Sequence, residues 1–405
     1  MTKDIFIYID SSQSASGSGG PLEGKTIAIQ PNMSVRGWPT EAGSSALERF
    51  VALEDSTVVE RLRKAGATIR GSTRMSELGF GLTGDTAARA VAEGEVDIAL
   101  VTDTMGEARV SASENGLFGF KPSYGIVSRF GLIGLIPSME CLGIMAKTPA
   151  EIIVVLEAIT GTDDRDFSMS EDALLEFSDF NTDQLITGTL GVIRENSEFL
   201  DRDESKAFDV AISRLEEMGM DTREVTLEEY GLFRTIHNVI GSVEASSSAG
   251  KYDSVRYGHR TKSSKNWNEM YLKSRAESFG LPVKTYLFQG AYFQFENYKA
   301  FENACRIRSV LVKQTEALYR EVDFLVVPTR NDGISIYETR TIDGIYDLLT
   351  FTLPANVTGQ PAIHVPGSLF GREKDPGLQF VAPRLGDVRL LSLAARLLNF
   401  AKGDK

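Results

Sequence analysis

The chain has 405 residues, of which 42% are hydrophobic and 24% charged, ordinary values for a globular protein with a large core. Its formal net charge of −13 argues against general nucleic-acid binding, because such a charge repels a phosphate backbone. Cys141 and Cys305 stand in no CxxC or Cys/His cluster, so we expect neither a disulfide framework nor a metal site. No apolar run is long enough for a signal peptide or a membrane span. These features predict a soluble cytoplasmic protein, and no motif indicates a cofactor.

The chain begins with a predicted strand from Ile5 to Ile9, followed by SSQSASGSGG at residues 11–20. Small polar residues and glycines bury too little surface to order themselves. We therefore expect residues 1–20 to be an N-terminal strand with a flexible linker, and residues 21–405 to form one domain.

From Lys25 onwards strand and helix patterns alternate, and a helix over DSTVVERLRKAG is capped by Asp55 or Ser56 and closed by Gly66. Residues 228–322 are typical of long helical segments and predict a helical insertion. The alternation predicts an α/β/α sandwich, with helices on both faces of a large, mostly parallel mixed sheet. The other predicted strands are KTIAIQ, ATIRG, VDIALV, GTLGVIRE and DFLVVPT, and the other predicted helices are TAARAVAEG, PAEIIVVLEAITG and ESKAFDVAISRLEEMG.

One predicted strand leads into a turn that has the form of a catalytic turn. The apolar run VDIALV passes into VTDTMGEARVSAS, where a polar segment with a glycine delivers Glu107 to the strand end. A strand that ends in this way commonly presents a reactive residue, so Glu107 is the first candidate for a functional side chain.

This turn continues into GLFGFKPSYGIVSRFGLIGLIPSMECLGIMAKTPAEIIVVLEAITGTDDRD, which resembles the core of the amidase signature family. The resemblance also includes EGKTIAIQPNMSVRGWPTEAGS upstream and EASSSAGKYDSVRYGHRT, DFLVVPT and LPANVTGQPAIHVPG downstream. It extends over roughly everything after residue 21. Within the family the chain is most similar to the A subunits of tRNA-dependent glutamine amidotransferases, and the resemblance implies their α/β/α fold.

The family works with a Ser–Ser–Lys arrangement, and the resemblance implies that the lysine has been replaced here. That lysine closes a strand in a motif like IKDN, and the matching text is IQPN, with Gln30 in its place. A neutral amide cannot act as a general base. Lys25 is five residues away on the same strand, so it faces the opposite side of the sheet and cannot substitute.

The two family serines also have no counterpart. The glycine- and serine-rich loop that carries the bridging serine is missing, and at best Thr83 or Thr86 falls near its position. When a GSDTGGSIR-like motif is laid over VTDTMGEAR, the nucleophilic serine becomes Glu107. Met105 replaces a glycine that lets backbone N–H groups reach the substrate oxygen. The candidate substrate-binding residues at this turn are Asp103, Thr104, Met105, Gly106 and Arg109.

Three roles for Glu107 remain open. In the first role, Glu107 is a nucleophile; its attack on an amide would form an anhydride, which is unfavourable in free energy. A general acid or base in a different reaction would need a partner residue. In the third role, Glu107 fills the vacated space, and its carboxylate accepts hydrogen bonds from the backbone N–H groups of the former oxyanion hole or pairs with Arg109.

Substrate recognition as in the glutamine-dependent relatives is doubtful. Arg308 matches the position that holds the substrate carboxylate there, although a solvated helix arginine is an equal alternative. The acidic residue that holds the substrate amine is replaced by Leu349, and Asp347 is two residues away. Losing a charged anchor from a buried site weakens recognition by roughly a few kcal/mol.

Structural roles are expected for the other conspicuous polar residues. The histidines are scattered without metal-ligand spacing. The serine pair in EAGSSAL is explained by turn chemistry, and KPSYG fixes a turn under the site. These residues are His237, His259, His364, Ser44, Ser45, Lys121 and Tyr124.

The sequence thus predicts an amidase-signature fold without amide hydrolysis. The expected function is that of a pseudo-amidase, a binding or partner subunit of an amidotransferase-like or biosynthetic complex, or a homo-oligomer, with a small amide or amino acid as a possible ligand. The alternative is an active enzyme with rebuilt chemistry, amide hydrolysis or amido or acyl transfer, that uses Glu107 with Arg109 or Thr104. An open pocket at Glu107 would favour the alternative, and a filled one the first function.

Overall fold

The structure is a computed structural model that describes residues 2–11, 19–169, 175–182, 187–336, 339–371 and 377–403. Most of the predicted linker, residues 12–18, lies outside these ranges. In this part of the chain one sheet has the order β1-β3-β2-β4-β6-β5-β10-β11-β9-β7-β8. Its strands are β1 Phe6–Ile9, β2 Thr26–Ile29, β3 Thr68–Thr73, β4 Ile98–Asp103, β5 Phe118–Lys121, β6 Cys141–Ala146, β7 Thr189–Ile193, β8 Asp221–Val225, β9 Phe324–Pro328, β10 Ala362–Val365 and β11 Leu378–Val381.

Helices surround this sheet, as predicted for an α/β fold. Ser56 caps the helix predicted over DSTVVERLRKAG, and its hydroxyl accepts a hydrogen bond from the Val59 N–H. The helices are α1 Thr2–Ile5, α2 Thr57–Lys64, α3 Ala87–Ala92, α4 Glu107–Glu114, α5 Pro149–Ile159, α6 Arg202–Glu217, α7 Leu232–Ser248, α8 Trp267–Ser278, α9 Leu281–Phe295, α10 Tyr298–Leu318, α11 Ile342–Leu348, α12 Leu353–Thr358 and α13 Asp387–Ala401.

The large mixed sheet is confirmed, but its pairing is less parallel than expected. Parallel pairing joins β2 to β3 and β4, and β7 to β8 and β9. The other six neighbouring pairs of the described sheet are antiparallel. The parallel pairs lie towards the two ends of the sheet, whereas its middle, from β4 to β9, is antiparallel. There β5 and β6, and likewise β10 and β11, follow each other in the chain without an intervening α-helix.

Five strands of this sheet were not predicted. β5, β10 and β11 are four-residue runs that are buried along their whole length, so they show no alternation of apolar and polar residues. β6 is buried throughout and contains a glycine, and β8 is a mostly exposed edge strand with the polar sequence DTREV. Tertiary pairing, rather than local pattern, determines these strands.

The two faces of the sheet are covered by different sets of helices. Along β9, Phe324 and Val326 enter the core shared with α2, α5, α6 and α13, while Leu325 and Val327 enter the core shared with α7, α9, α10 and α12. This alternation follows from the period of two along a strand. A third apolar cluster packs α3 and α4 against β2 and β4 and so holds the turn after β4 in place.

Helices α7 to α10 fall within the stretch 228–322. α9 approaches α7 so closely that a Cβ at Gly290 would lie 1.8 Å from the Ser242 carbonyl oxygen, so only glycine fits there. None of the helices in the described ranges is long and apolar enough to cross a bilayer.

Candidate functional site

The turn after β4 is fully enclosed. β4 ends at Asp103 and α4 begins at Glu107, and all residues from 101 to 110 are buried. Gly106 has φ 129°, and a Cβ there would lie 2.0 Å from the Thr352 hydroxyl oxygen, so only glycine fits. The sequence therefore positions Glu107 at the first residue of a helix, beside the segment that precedes α12.

Glu107 fills the position where backbone amides converge. Its Oε2 accepts hydrogen bonds from the N–H groups of Thr104 at 2.7 Å, Met105 at 2.8 Å and Gly106 at 3.1 Å. We call these three donors the amide nest. Oε1 is buried and has no hydrogen-bond partner among the described residues. The predicted bonding to backbone N–H groups is present, with one oxygen accepting three donors.

Burial, and after it the charge of Asp103, raise the pKa of Glu107 to about 8, although backbone hydrogen bonds, among them those from Met105 and Thr104, lower it. The side chain is thus largely a neutral acid at pH 7. In this form Oε2 is the carbonyl oxygen that accepts from the nest, and the O–H group on Oε1 has no acceptor among the described residues.

Of the two contacts expected as alternatives for Glu107, the pairing with Arg109 is not formed. In the described structure Arg109 instead binds Asp103, with Nη2 to Oδ1 at 2.7 Å and Nε to Oδ2 at 3.2 Å, and both side chains are fully buried. Burial alone would raise the pKa of Asp103, but the guanidinium lowers it below its usual value. The bidentate geometry satisfies both carboxylate oxygens, and so Arg109 is already paired.

Three further residues of this site were not predicted. Asn356 accepts a hydrogen bond from Arg109 Nη2 at 2.5 Å and donates to Asp103 Oδ1 at 3.0 Å. Thr352 donates its hydroxyl hydrogen to the Met105 carbonyl at 2.6 Å, and Gln379 accepts a hydrogen bond from Arg109. The LPAN motif was a signal for Asn356, but its contact with a turn about 250 residues earlier depends on the tertiary fold.

A buried chain of hydrogen bonds reaches the turn from the other side. His237 Nε2 lies 3.1 Å from the Thr104 carbonyl oxygen, so this nitrogen carries the hydrogen. Nδ1 then accepts the hydroxyl hydrogen of Tyr346 at 2.8 Å, and Tyr346 accepts that of Tyr286 at 3.0 Å. Burial lowers the pKa of His237 to about 3, so the ring is neutral. His237 orients the carbonyl side of the turn, in line with its predicted structural role.

At the position matching the family lysine, Gln30 has its hydrogen-bonding groups occupied. Its Nε2 donates to Asp85 Oδ2 at 2.7 Å, and its Oε1 accepts from the Thr102 N–H at 2.9 Å. Burial raises the pKa of Asp85 to about 6, although the Ala87 N–H and Gln30 lower it. Asp85 follows the shortened GFGLTG segment and was missed in the sequence, because an isolated aspartate before a helix is usually a cap.

The residues considered in the sequence as substitutes for the family's catalytic groups form other contacts. The Thr83 hydroxyl donates to the Thr339 carbonyl at 2.9 Å, and the Thr86 hydroxyl donates to the Ile5 carbonyl at 2.6 Å. Lys25 forms an ion pair with Glu151 at 3.0 Å, at the start of the strand that ends at Gln30.

Arg308 is neither a solvated helix arginine nor an open carboxylate receptor. Its Nε donates to the Val357 carbonyl at 2.8 Å, and its two terminal nitrogens donate to the hydroxyl and the carbonyl of Ser138, each at 2.9 Å. Leu349 lies in the core, and Asp347 forms an ion pair with Arg234 near the surface. Among the described residues, Glu244 is the acidic residue at this place and accepts the Ser138 N–H at 2.9 Å, while all three side-chain nitrogens of Arg308 are engaged.

The remaining polar candidates have structural contacts. The Ser44 hydroxyl donates to Glu77 at 2.6 Å and accepts from the Ala46 N–H, so it stabilises a turn. The Tyr124 hydroxyl donates to the Pro137 carbonyl at 2.9 Å. Lys121, His364 and His259 contact the Pro122 carbonyl, Thr329 and Glu277, respectively, and Ser45 is exposed.

Comparison with known proteins gives a consistent result. The Amidase family profile matches residues 8–88 and 84–391. The A subunit of the glutamyl-tRNA(Gln) amidotransferase of Natronomonas pharaonis is 34% identical over 93% of this chain and 96% of its own. The A subunit of the same enzyme from a Synechococcus strain is 32% identical over 95% of this chain and 85% of its own. The crystal structure of the A subunit from Thermotoga maritima superposes with a TM-score of 0.81 at 24% identity, over 98% of this chain and 88% of that one.

Proposed function

The chain belongs to the amidase family, and on this premise we propose that it is a catalytically degenerate member that acts as a binding or partner subunit instead of hydrolysing amides. The observation that carries the proposal is the occupied amide nest. Three backbone N–H groups that would stabilise a substrate oxygen are bonded to Glu107 Oε2. A substrate amide cannot use donors that an internal side chain already holds.

The surroundings of Gln30 support the same proposal. A base that activates a serine must take up a proton, and an amide nitrogen that donates to Asp85 has no such capacity. Asp85 is itself a buried carboxyl group, but Gln30 separates it from Thr102 and the strand that leads to the nest. A nucleophile at position 107 would therefore still lack its proton acceptor.

Rebuilt chemistry with Glu107 as an acid requires a reactant to reach that side chain. Glu107 is only 2% exposed, and Met105 beside it is 0% exposed. The neutral acid is chemically suited to donate a proton, but it lies in a turn whose residues 101–110 are all buried. The filled turn favours a structural role.

The partner is proposed from the relatives. Those with 34% and 32% identity are named as A subunits of glutamyl-tRNA(Gln) amidotransferases, and the alignment extends over almost all of this chain. We therefore propose that this chain occupies an equivalent place in a cytoplasmic amidotransferase-like or biosynthetic assembly. Its retained fold then provides surfaces for association, and its former site provides a rigid core.

The proposal is tested with the purified chain. We expect incubation with L-glutamine or with propionamide to release no ammonia above a buffer blank, because base and nucleophile are both absent. Ammonia release that persists in Glu107→Ala would show that other residues catalyse hydrolysis and would contradict the proposal. Release that Glu107→Ala abolishes would establish the rebuilt chemistry instead. The partner is tested by purifying the tagged chain from its own cells and identifying the protein that elutes with it in constant ratio.

A further inference from the structure

An open cavity lies between helix α7, helix α9 and the segment that leads into α11, and we call it the α11 cavity. Its volume is about 380 Å³, within the range of roughly 300–1,000 Å³ that is typical of small-molecule sites. No residue of the Glu107 turn lines it, so it is a separate feature of the molecule. Its lining residues are Asn238, Leu281, Pro282, Thr285, Gln289, Arg340, Thr341, Ile342 and Asp343.

Two side-chain amides in the cavity wall bond to each other and leave two groups unused. Gln289 Nε2 donates to Asn238 Oδ1 at 2.7 Å, and both residues are half-buried. Asn238 Nδ2 and Gln289 Oε1 have no hydrogen-bond partner among the described residues. The pair thus offers one donor group and one acceptor, and exchanging nitrogen and oxygen in both amides would leave the same two groups. A ligand carboxamide carries an acceptor oxygen and N–H donors, so one such group satisfies both.

Arg340 supplies an available charge to the α11 cavity. It is exposed and forms no hydrogen bond or ion pair with the described residues. Asp343, the carboxylate among the lining residues, already accepts from Arg234 Nη2 at 3.1 Å. The cavity therefore has a free cation and a paired anion. This balance favours a ligand that carries a carboxylate over one that carries an ammonium group.

The three walls of the cavity are joined to one another inside the protein. Tyr286 of α9 bonds to Tyr346 of α11 at 3.0 Å, and Tyr346 bonds to His237 of α7 at 2.8 Å. His237 directly precedes Asn238, and Tyr286 lies one turn before Gln289 on the same helix. The amide pair therefore stands on elements that are fixed before a ligand arrives, which reduces the ordering cost of binding.

We propose that the α11 cavity binds a small carboxylic acid that also carries a carboxamide at the other end of a short methylene chain. The carboxamide bonds to the Asn238–Gln289 pair, and the carboxylate pairs with Arg340. The methylene groups pack on Leu281 and Ile342, the apolar part of the lining. This inference goes beyond the proposed function, because it concerns a different site and depends on no property of the Glu107 turn.

The ligand class is tested with three probes of equal chain length, adipamate, hexanamide and hexanoate. Each is titrated into the full chain, and binding is followed by saturation-transfer difference NMR. Hexanamide lacks the carboxylate, and hexanoate lacks the carboxamide. We expect adipamate to bind at least about tenfold more tightly than either simpler probe, because it alone makes both polar contacts. Failure of all three probes to bind, or adipamate binding no tighter than that of a simpler probe, would overturn the proposal.

Two variants assign the two contacts. Arg340→Gln should weaken adipamate by about tenfold and leave hexanamide unchanged. Asn238→Leu should weaken adipamate and hexanamide by about tenfold and leave hexanoate unchanged. Arg49→Gln is the matched control and should bind like the wild type, because Arg49 is also exposed but does not line the cavity. Adipamate binding that either cavity variant leaves unchanged would refute the proposed site. Since the readout is ligand binding, its failure is distinct from a detection of ammonia release.

Discussion

Asp103 and Glu107 are two buried carboxyl groups four residues apart, and the protein treats them in opposite ways. Asp103 is kept ionised by the bidentate guanidinium of Arg109, which lowers its pKa. Glu107 has no cation, and burial together with the charge of Asp103 raises its pKa to about 8. The same depth of burial therefore supports a charge in one case and a neutral acid in the other.

This difference separates the residues of the turn that stabilise the fold from the residue that differs from the family motif. Asp103 and Arg109 match the family motif and connect the turn to Asn356 and Gln379 in the C-terminal part of the chain. Glu107 occupies the position that we propose to match the nucleophilic serine of the motif, and it bonds mainly to the local amide nest. We infer that the ionic cluster holds the fold, while Glu107 closes a site that would otherwise leave three donors without a partner.

The largest effect is expected from Arg109→Met. The change leaves Asp103 as an uncompensated buried charge, which typically costs about 3–5 kcal/mol of unfolding free energy. Chemical denaturation at neutral pH measures it. Lys25→Met is the control, because the Lys25–Glu151 pair is partly exposed and should contribute at most about 1 kcal/mol. Equal losses in both variants would mean that the buried cluster is no more important than a surface pair.

A smaller effect is expected from Glu107→Ala. The three N–H groups of the nest would lose their acceptor, and unpaired buried donors cost roughly 1–3 kcal/mol. Glu107→Gln keeps an acceptor oxygen and should retain the wild-type stability to within about 1 kcal/mol at about pH 5, where Glu107 is protonated in the fold. A Glu107→Ala variant as stable as the Glu107→Gln variant would contradict the structural role of Glu107.

Stability should also respond to pH through Glu107. Its pKa is raised from 4.5 to about 8 on folding, so between these values the folded state holds a proton that the unfolded state has released. The unfolding free energy of the wild type should therefore fall as pH rises, by up to about 1.4 kcal/mol per unit, and level off above about pH 8. The Glu107→Gln variant lacks this contribution. The pH-dependent contribution of Asp85 cancels in the difference between the two proteins, because both contain it. Parallel pH profiles would indicate that Glu107 is ionised in the fold.

The sequence predicted most of the helix-linked elements, because caps and periodicity are local signals. The N-cap of Ser56 and the strand over VDIALV are examples. It could not predict β10 and β11, which are short buried runs stabilised by pairing with β5 and β9. The mostly parallel sheet was inferred from the strand–helix alternation, but five of the six antiparallel pairs contain β5, β6, β10 or β11, which were not predicted.

At the site, the sequence identified the turn but only part of its bonding. Glu107 was predicted either to accept hydrogen bonds from the backbone N–H groups of the former oxyanion hole or to pair with Arg109, and the first alternative is the one observed. Whether the Arg109 guanidinium binds Asp103 or Glu107 depends on the directions of the side chains, which the spacing of residues in the sequence does not define. Asp85 and Asn356 act through tertiary contacts with Gln30 and Asp103, and a single sequence gives no measure of such contacts.

The smallest effect is expected from restoring the serine. Glu107→Ser frees the amide nest and, on the proposed correspondence with the family motif, restores one of three changed catalytic positions. We expect its hydroxyl still to lack a proton acceptor, because Gln30 is bonded to Asp85 and Thr102 and the loop of the bridging serine is proposed to be missing. Since catalytic groups that act as a unit are strongly non-additive, one restored member contributes almost nothing. We therefore expect ammonia release from L-glutamine by Glu107→Ser to equal that of the wild type and of Glu107→Ala. Turnover in Glu107→Ser alone would show that a working base remains beside the turn. It would contradict the conclusion that Asp103 stabilises the fold whereas position 107 belongs to a site that has lost its function.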